Sequence, residues 1–254
     1  LLASLAASTT DGVVLNRDDS FVARIAAEVS GRMPVAWFGV HADIADRLPE
    51  LLEQDVRFGD TYVAPPAGPG DGLLRPVDER SFEVVFGGSP DPDAMTVGPV
   101  TLQQRGLAAM INATAATTTA RMLLGERFTP AIAVNALARV RPPFGRGEVI
   151  DVDGQPLELV LVKNPAGFTV ALGTYGSTPV ATMVAINDND ADGRDVSWLY
   201  DVSFASLREQ GVAWTSGIRA WDMALRLEYD DVAVAHVETD LTTALDAFLA
   251  AYPD

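Results

Sequence analysis

Residues 11–29 read Asp11-Gly12-Val13-Val14-Leu15-Asn16-Arg17-Asp18-Asp19-Ser20-Phe21-Val22-Ala23-Arg24-Ile25-Ala26-Ala27-Glu28-Val29, and this stretch decides the fold class. The apolar run Val13-Val14-Leu15 follows a turn and stops at Asn16, as a buried strand does. Phe21, Val22, Ile25, Ala26 and Val29 then recur at helical spacing behind Ser20, whose hydroxyl can cap a helix. Val35-Ala36-Trp37-Phe38-Gly39-Val40 gives a second strand, and Ile44, Leu48, Leu51 and Leu52 a second helix. A β-α-β-α rhythm predicts an α/β fold, a parallel sheet with helices packed on its faces.

Outward from that stretch the rhythm breaks and then resumes. Residues 60–99 are dense in Pro, Gly and Asp and read as loop interspersed with short strands such as 82–86. Helices are expected over about residues 105–124 and 130–137. Arg141-Pro142-Pro143-Phe144-Gly145 reads as a linker, because paired prolines cannot continue a helix. Beyond it, strands are expected at 157–162, 180–186 and 232–237, and helices at 219–227 and 241–250. Two α/β domains follow from this pattern, residues 1–141 and 142–254, the second smaller and Rossmann-like.

The chain of 254 residues has 48% hydrophobic residues, ample for a buried core, and a net charge of −17. Such a balance argues against a surface for nucleic acid or anionic lipid, which needs a basic patch. The chain has no Cys and only two His, which excludes disulfides, thiol nucleophiles and thiolate or histidine-rich metal sites. No apolar run approaches the ~20 residues that span a bilayer. The opening Leu1-Leu2-Ala3-Ser4-Leu5 reads as the middle of a helix, so the chain is expected to be a portion of a longer protein.

Four polar clusters are candidates for chemistry. Asn16-Arg17-Asp18-Asp19 follows a strand, where ligands of open parallel sheets bind; the ordinary alternative is a turn whose Asn and Asp merely cap. Gly145-Arg146-Gly147-Glu148 puts a guanidinium at the domain junction, able to grip a phosphate, or else simply an Arg on a surface loop. Leu161-Val162-Lys163-Asn164-Pro165-Ala166-Gly167-Phe168 ends a strand on a lysine facing either solvent or a ligand, with Pro165 and Gly167 shaping a tight turn. Asn187-Asp188-Asn189-Asp190-Ala191-Asp192-Gly193-Arg194-Asp195 again follows a strand. Its carboxylates can orient ammonia, hold Mg²⁺ or complete a partner's catalytic group, or form an acidic solvated loop. A calcium loop is disfavoured, since counting from Asp188 places Leu199 where a Glu is required. No G-x-x-x-x-G-K-[ST] phosphate loop and no G-x-S-x-G elbow occurs.

The order V-L-N-R-D-D, G-R-G-E, K-N-P-A-G-F, N-D-N-x-A-D-G-R-D-V-S-W-L-Y-D and S-G-I-R-A-W-D-M-A-L-R-L resembles the MurT family, the Mur-ligase-like subunits of lipid II isoglutaminyl synthase. The motifs over residues 145–227 carry most of the likeness. The resemblance implies a partial Mur-ligase central (ATPase) domain lacking its phosphate-loop part, followed by a MurT-type ligase domain. It implies ATP-dependent, glutamine-using amidation of the D-glutamate α-carboxylate of lipid II through an acyl phosphate. ATP and Mg²⁺ are the implied cofactors, with the main ligands ahead of Leu1, and a GatD-type glutaminase is the implied partner. The implied place of work is the inner face of the cytoplasmic membrane.

By the same resemblance Asn16 lies near adenine, Arg146 near ribose or phosphate, and Lys163, with Asn164 beside it, near the acyl-phosphate oxygens. A required Asp is implied in the second domain, in contact with the glutaminase: Asp195, with Asp188 and Asp192 as alternatives. Ser216-Gly217-Ile218-Arg219 and Asp222 belong to the same surface, whereas Met223, Leu225 and Leu227 have the spacing of core residues. Many family members carry a four-Cys zinc ribbon where residues 57–99 stand here, so no thiolate zinc site is expected. The alternative of another class is a non-catalytic docking module derived from a Mur ligase.

Overall fold

The computed structural model describes residues 1–41, 62–87, 94–175, 180–189 and 193–253. The helix expected around Ile44–Leu52 lies outside the described residues. The chain divides into two compact units, Leu1–Pro142 and Pro143–Asp254.

In the first unit, helix α1 (Leu2–Ser8) is followed by strand β1 (Val13–Asn16), helix α2 (Ser20–Val29) and strand β2 (Val35–Val40). The residue capping α2 is Asp19, not Ser20: its Oδ1 accepts the N–H groups of Phe21 and Val22 at 2.8 and 3.0 Å, satisfying two donors the helix start would otherwise leave open. Strands β3 (Gly72–Pro76), β4 (Ser81–Phe86) and β5 (Met95–Thr101) complete a five-stranded sheet in the order β1-β2-β3-β4-β5. The first three strands are parallel, and β4 and β5 are antiparallel to their neighbours. The expectation of loop interspersed with short strands over 60–99 holds among its described residues, and the three strands there form a meander that extends the main sheet. Pro99 is tolerated because β5 is an edge strand, where a missing N–H breaks no ladder.

Helix α3 (Leu107–Leu124) lies across β1 to β4, and α4 (Pro130–Leu137) packs on β5. The buried Leu74, Phe82, Val84, Phe86, Val97 and Val100 meet Ala109, Met110 and Ala113 of α3. Small residues let this helix come close to the sheet. A Cβ on Gly72 would stand 2.1 Å from Thr118 Oγ1. Burying Thr114, Thr117 and Thr118 leaves no open donor, because each hydroxyl donates to the carbonyl four residues back at 2.7–2.8 Å.

In the second unit, β6 (Arg146–Val152) and β7 (Gln155–Val160) form an antiparallel hairpin. Its two-residue turn is Asp153-Gly154, both at positive φ (54° and 91°), the geometry that twists with its strands. The strand expected at 157–162 thus belongs to a hairpin rather than to a parallel sheet. After α5 (Pro165–Tyr175) come β8 (Met183–Ala185), β9 (Val212–Ser216), α6 (Ala220–Glu228), β10 (Val234–Glu238) and α7 (Leu241–Ala251). The parallel sheet runs β10-β9-β8.

Successive strand residues point to opposite faces, and the two faces of β8 and β9 pack on different helices. Val184, opposite Thr215, packs in a cluster with Phe168, Phe204, Met223 and Leu227. Met183, opposite Trp214, packs with Ala244 and Phe248 of α7. Helices on both faces bury the middle strand completely, and the carboxyl ends of β8 and β9 emerge side by side.

Candidate functional site

In the first unit the polar turn after β1 is held tightly. Asn16 Oδ1 accepts the Asp18 N–H at 2.9 Å, and Asp18 Oδ2 accepts the Val40 N–H at 2.7 Å, tying the carboxyl ends of β1 and β2 together. Gly39 permits this approach, since a Cβ there would lie 2.6 Å from Asp18 Oδ2. Burial raises the Asp18 carboxyl above its ordinary value, against the lowering effects of the Val40 N–H and the Arg17 charge. Tyr62 donates its hydroxyl to the Arg17 carbonyl at 2.8 Å. The Asn16 carboxamide keeps its nitrogen without a described partner, which suits it to donate to a purine ring nitrogen.

In the second unit the connections after β8 and β9 brace each other. Asn187 Oδ1 accepts the Ile218 N–H at 3.0 Å, and the Ile186 carbonyl accepts the Arg219 N–H at 3.0 Å. The approach requires Gly217: at φ +86° a Cβ would fall 2.4 Å from the Ile186 oxygen and 2.7 Å from Asn187 Oδ1. Arg219 then grips one oxygen of Asp188 from Nε at 2.9 Å and Nη2 at 2.7 Å, and reaches Asp222 at 3.6 Å. At the same strand end Thr215 and Ser216 are fully buried, and their hydroxyl oxygens have no hydrogen-bond partner among the described residues.

The remaining sequence-derived residues are placed as follows. Arg146 is exposed on β6 between Gly145 (φ 67°) and Gly147 (φ 73°), where the hairpin register shifts. Lys163 is exposed in the connection between β7, a strand of the hairpin, and α5. The tight turn expected at Pro165 and Gly167 is instead the start of α5. Asn164 stands just before that helix, and its Oδ1 accepts the Gly167 N–H at 2.8 Å.

Asp188 is paired with Arg219. Asp195 is exposed and accepts the Ser197 N–H at 2.8 Å, and the Ser197 hydroxyl and N–H hold its carboxyl below the ordinary value. Asp192 lies outside the described residues. No hydrogen bond or ion pair joins Lys163 to Asp188 or Asp195 among the described residues. A metal-holding group of three His, Asp or Glu side chains is likewise absent among them.

A residue the motif analysis passed over holds this region together. Arg226 of α6 is buried and donates to the Leu199 and Val202 carbonyls and to Asp230. Its guanidinium also lies 5.6 Å from the Tyr200 ring centroid and 5.1 Å from that of Phe204. It fastens the turn over Ser197–Asp201, two residues beyond Asp195, to α6. The visible signal was a lone Arg between the apolar Met223 and Leu227 on a helix.

The fold resembles that of solved Mur ligases. The chain superposes with a TM-score of 0.60 on MurF from Acinetobacter baumannii, over 99% of this chain and 49% of that one, at 15% identity. A pseudomurein peptide ligase type C from Methanothermus fervidus gives a TM-score of 0.62 over 95% and 48%, also at 15% identity. At such identity the likeness is one of fold. Residues 161–252 match the family model described as MurT ligase C-terminal.

Curated relatives agree. The chain is 35% identical over 105 residues to the lipid II isoglutaminyl synthase (glutamine-hydrolyzing) subunit MurT of Staphylococcus aureus (strain COL), covering 39% of this chain and 24% of the relative. It is 32% identical over 130 residues to the subunit of that name from Streptococcus pneumoniae (strain ATCC BAA-255 / R6), covering 50% and 28%. The chain thus spans about a quarter of the length of these relatives. No helix among the described residues is long and apolar enough to cross a membrane.

Proposed function

We propose that this chain is part of the synthetase subunit of a glutamine-dependent ligase that amidates the D-glutamate α-carboxylate of lipid II to D-isoglutamine. The observation that carries the reading is the MurT-type segment at 161–252, joined to a unit of Mur-ligase fold. Residues 1–141 are part of a Mur-ligase central (ATPase) domain, without its phosphate-loop part, and 142–254 the ligase domain. ATP, with Mg²⁺, would supply the phosphoryl group that converts the carboxylate to an acyl phosphate, a mixed anhydride with phosphate as its leaving group. A GatD-type glutaminase supplies ammonia, whose nitrogen attacks the acyl carbon as phosphate departs. A lipid-linked substrate puts the work at the inner face of the cytoplasmic membrane.

Within this reading Asn16 donates to adenine and Arg146 meets ribose or phosphate oxygens. Lys163, an exposed ammonium without an ion-pair partner among the described residues, balances negative charge on the acyl-phosphate oxygens. Asn164 fixes the start of α5 beside it. Asp195, held ionised by Ser197, orients the incoming ammonia by accepting its N–H. Asp188, already neutralised by Arg219, positions the strand ends. Asp192 remains a second candidate for the acceptor role.

The test is mass spectrometry of lipid II incubated with ATP, Mg²⁺, glutamine, the intact protein and its glutaminase. Replacement of one carboxyl OH by NH₂ is expected, with loss of product in Asp195→Asn and Lys163→Ala. Full activity in both variants overturns the residue roles. An unchanged lipid II despite a stable complex overturns the ligase reading in favour of a docking module.

A further inference from the structure

Lys163 and Asp195 stand on different connections of the second unit. Lys163 lies between β7 and α5, and Asp195 lies between β8 and the turn over Ser197–Asp201. Both side chains are exposed. Their neighbours in sequence are anchored, and in one place. Val162, just before Lys163, and Val196, just after Asp195, both pack partly buried against the cluster that holds Phe168, Leu199, Phe204 and Met223. One cluster therefore grips each connection a single residue away from its candidate group. Met223 and Leu227 of α6 belong to that cluster, whereas Leu225 is 49% exposed, which corrects the expectation that it is core.

Inside the cluster, aromatic rings make the link. Phe168 lies in the first turn of α5, where Asn164 accepts the Gly167 N–H. Its ring is edge-on to Phe204, with centroids 5.0 Å apart, and tilted against Trp198 at 6.4 Å. Trp198 is the second residue of the turn that follows Asp195. Phe204 also meets the Arg226 guanidinium, 5.1 Å from its centroid, and Arg226 donates to the Leu199 and Val202 carbonyls of the same segment. Aromatic pairs prefer a defined angle as well as a distance. Close-packed interiors transmit a displacement rather than absorb it. The start of α5 and the turn beyond Asp195 are thus fixed to each other through Phe168 and Trp198.

The reaction proposed above needs two groups at one acyl carbon, a cation on the acyl-phosphate oxygens and a carboxylate holding the entering ammonia. A misplacement of about 1 Å costs on the order of 100-fold in rate. Exposed side chains on separate connections cannot hold that tolerance by themselves, so the packing beneath them must supply it. Resting on the synthetase reading above, we propose that Phe168 and Trp198 are positioning residues whose ring contact sets the spacing between the Lys163 ammonium and the Asp195 carboxylate. Each acts through the connection it anchors, Phe168 through the start of α5 and Trp198 through the turn beyond Asp195.

The test compares two equally buried rings. Phe168 is 6% exposed, and Phe248, which packs on Trp214 from α7 on the opposite face of the sheet, is 7% exposed. Phe168→Leu and Phe248→Leu should lower the thermal midpoint of the intact protein alike. In complex with its glutaminase, with glutamine or ammonium chloride as nitrogen source, Phe168→Leu should cut kcat for amide formation about tenfold or more. KM for ATP should stay within about twofold of the parent. More phosphate should be released per amide formed, because a misplaced ammonia leaves the acyl phosphate to water. Trp198→Ala should behave the same way, and Trp198→Phe, which keeps a ring, should recover most of the loss. Phe248→Leu should hold kcat within about twofold of the parent. A kcat within about threefold of the parent in both Phe168→Leu and Trp198→Ala overturns the assignment. So does an equal fall in Phe248→Leu, which would mark a general softening of the unit. If the parent forms no amide from either nitrogen source, the synthetase reading fails and the assignment falls with it, whereas an active parent with equally active variants sinks the assignment alone.

Discussion

Replacing Arg226 by Ala removes donors from two buried carbonyls and one carboxylate. Nε serves the Leu199 oxygen at 3.0 Å, and Nη2 serves the Val202 oxygen and, at 3.1 Å, Asp230 Oδ2. Hydrogen bonds from a charged donor contribute about 1.5–3 kcal/mol each, so the two carbonyl bonds alone suggest about 3–6 kcal/mol. Asp230 adds little to that figure, because its side chain is 19% exposed and water replaces part of the lost pairing. The expected loss is therefore about 3–5 kcal/mol, the range for breaking a buried pair. Arg226→Lys restores a charge for Asp230 but not the planar fork, and should recover less than half.

The assay is urea unfolding of the second unit, read from the fluorescence of Trp198, Trp214 and Trp221, with the slope against denaturant unchanged. The pH dependence has a definite sign. Burial alone would raise Asp230, but the bonds from Arg226 and the Phe204 N–H, with the charges of Arg226 and Arg208, leave it below its ordinary value. Its contribution is present in full above about pH 4 and fades as the pH falls towards the folded value. The gap between parent and Arg226→Ala should narrow in that window. A loss under about 1 kcal/mol at neutral pH, the scale of an exposed ion pair, would refute this account of how the Ser197–Val202 segment is held.

Three further outcomes follow. Gly217→Ala should destabilise the second unit by at least about 2 kcal/mol, from the positive φ and the Cβ driven onto the Ile186 oxygen, readable by the same unfolding. Asp19→Ala should cost about 1 kcal/mol through two lost capping bonds, measured in the first unit through Trp37. Burial raises Asp18, so its ionisation opposes folding as the pH rises from about 4 through the folded value. Asp18→Asn still accepts the Val40 N–H, and should remove that decline, making stability flat across the window.

The strand-turn-helix periodicity of residues 13–29 was legible because a buried strand and an amphipathic helix leave different repeats. Of residues 72–101 only the strand at 82–86 was legible, because Gly72, Pro76, Gly98 and Pro99 carry local signals for loop. What makes β3 and β5 strands is pairing with β2 and β4, which no local window contains. Strand β9 was missed although Val212-Ala213-Trp214-Thr215 is rich in strand formers. It is five residues long, lies between Gly211 and Gly217, and is buried on both faces, so no alternation marks it. At Asn164-Pro165 the pairing of a capping residue with a first-turn proline was readable as a helix start, yet Pro165 and Gly167 together read as a tight turn instead. Leu225 shows the limit of periodicity. Helical spacing says that a residue belongs to an apolar face, and says nothing of whether its own chain or another buries that face.

The candidate groups of the second unit share one property that bears on mechanism. Arg146, Lys163 and Asp195 are all exposed. Two unit charges at 4 Å interact by about 1 kcal/mol in bulk water and about 4 kcal/mol at the effective dielectric of a protein surface. An ammonium that must favour an acyl phosphate over its carboxylate precursor therefore acts only weakly while water surrounds it, and the same water would hydrolyse the anhydride. Catalysis by these residues requires a cover, and the second unit does not provide one from its own described residues. A partner seated over these groups would lower the local dielectric, exclude the competing nucleophile and deliver ammonia in one arrangement. On this argument a synthetase subunit with Lys163 and Asp195 intact, but separated from its glutaminase, should be slower with added ammonia than the complex is. The complex should also lose less activated substrate to hydrolysis per amide formed.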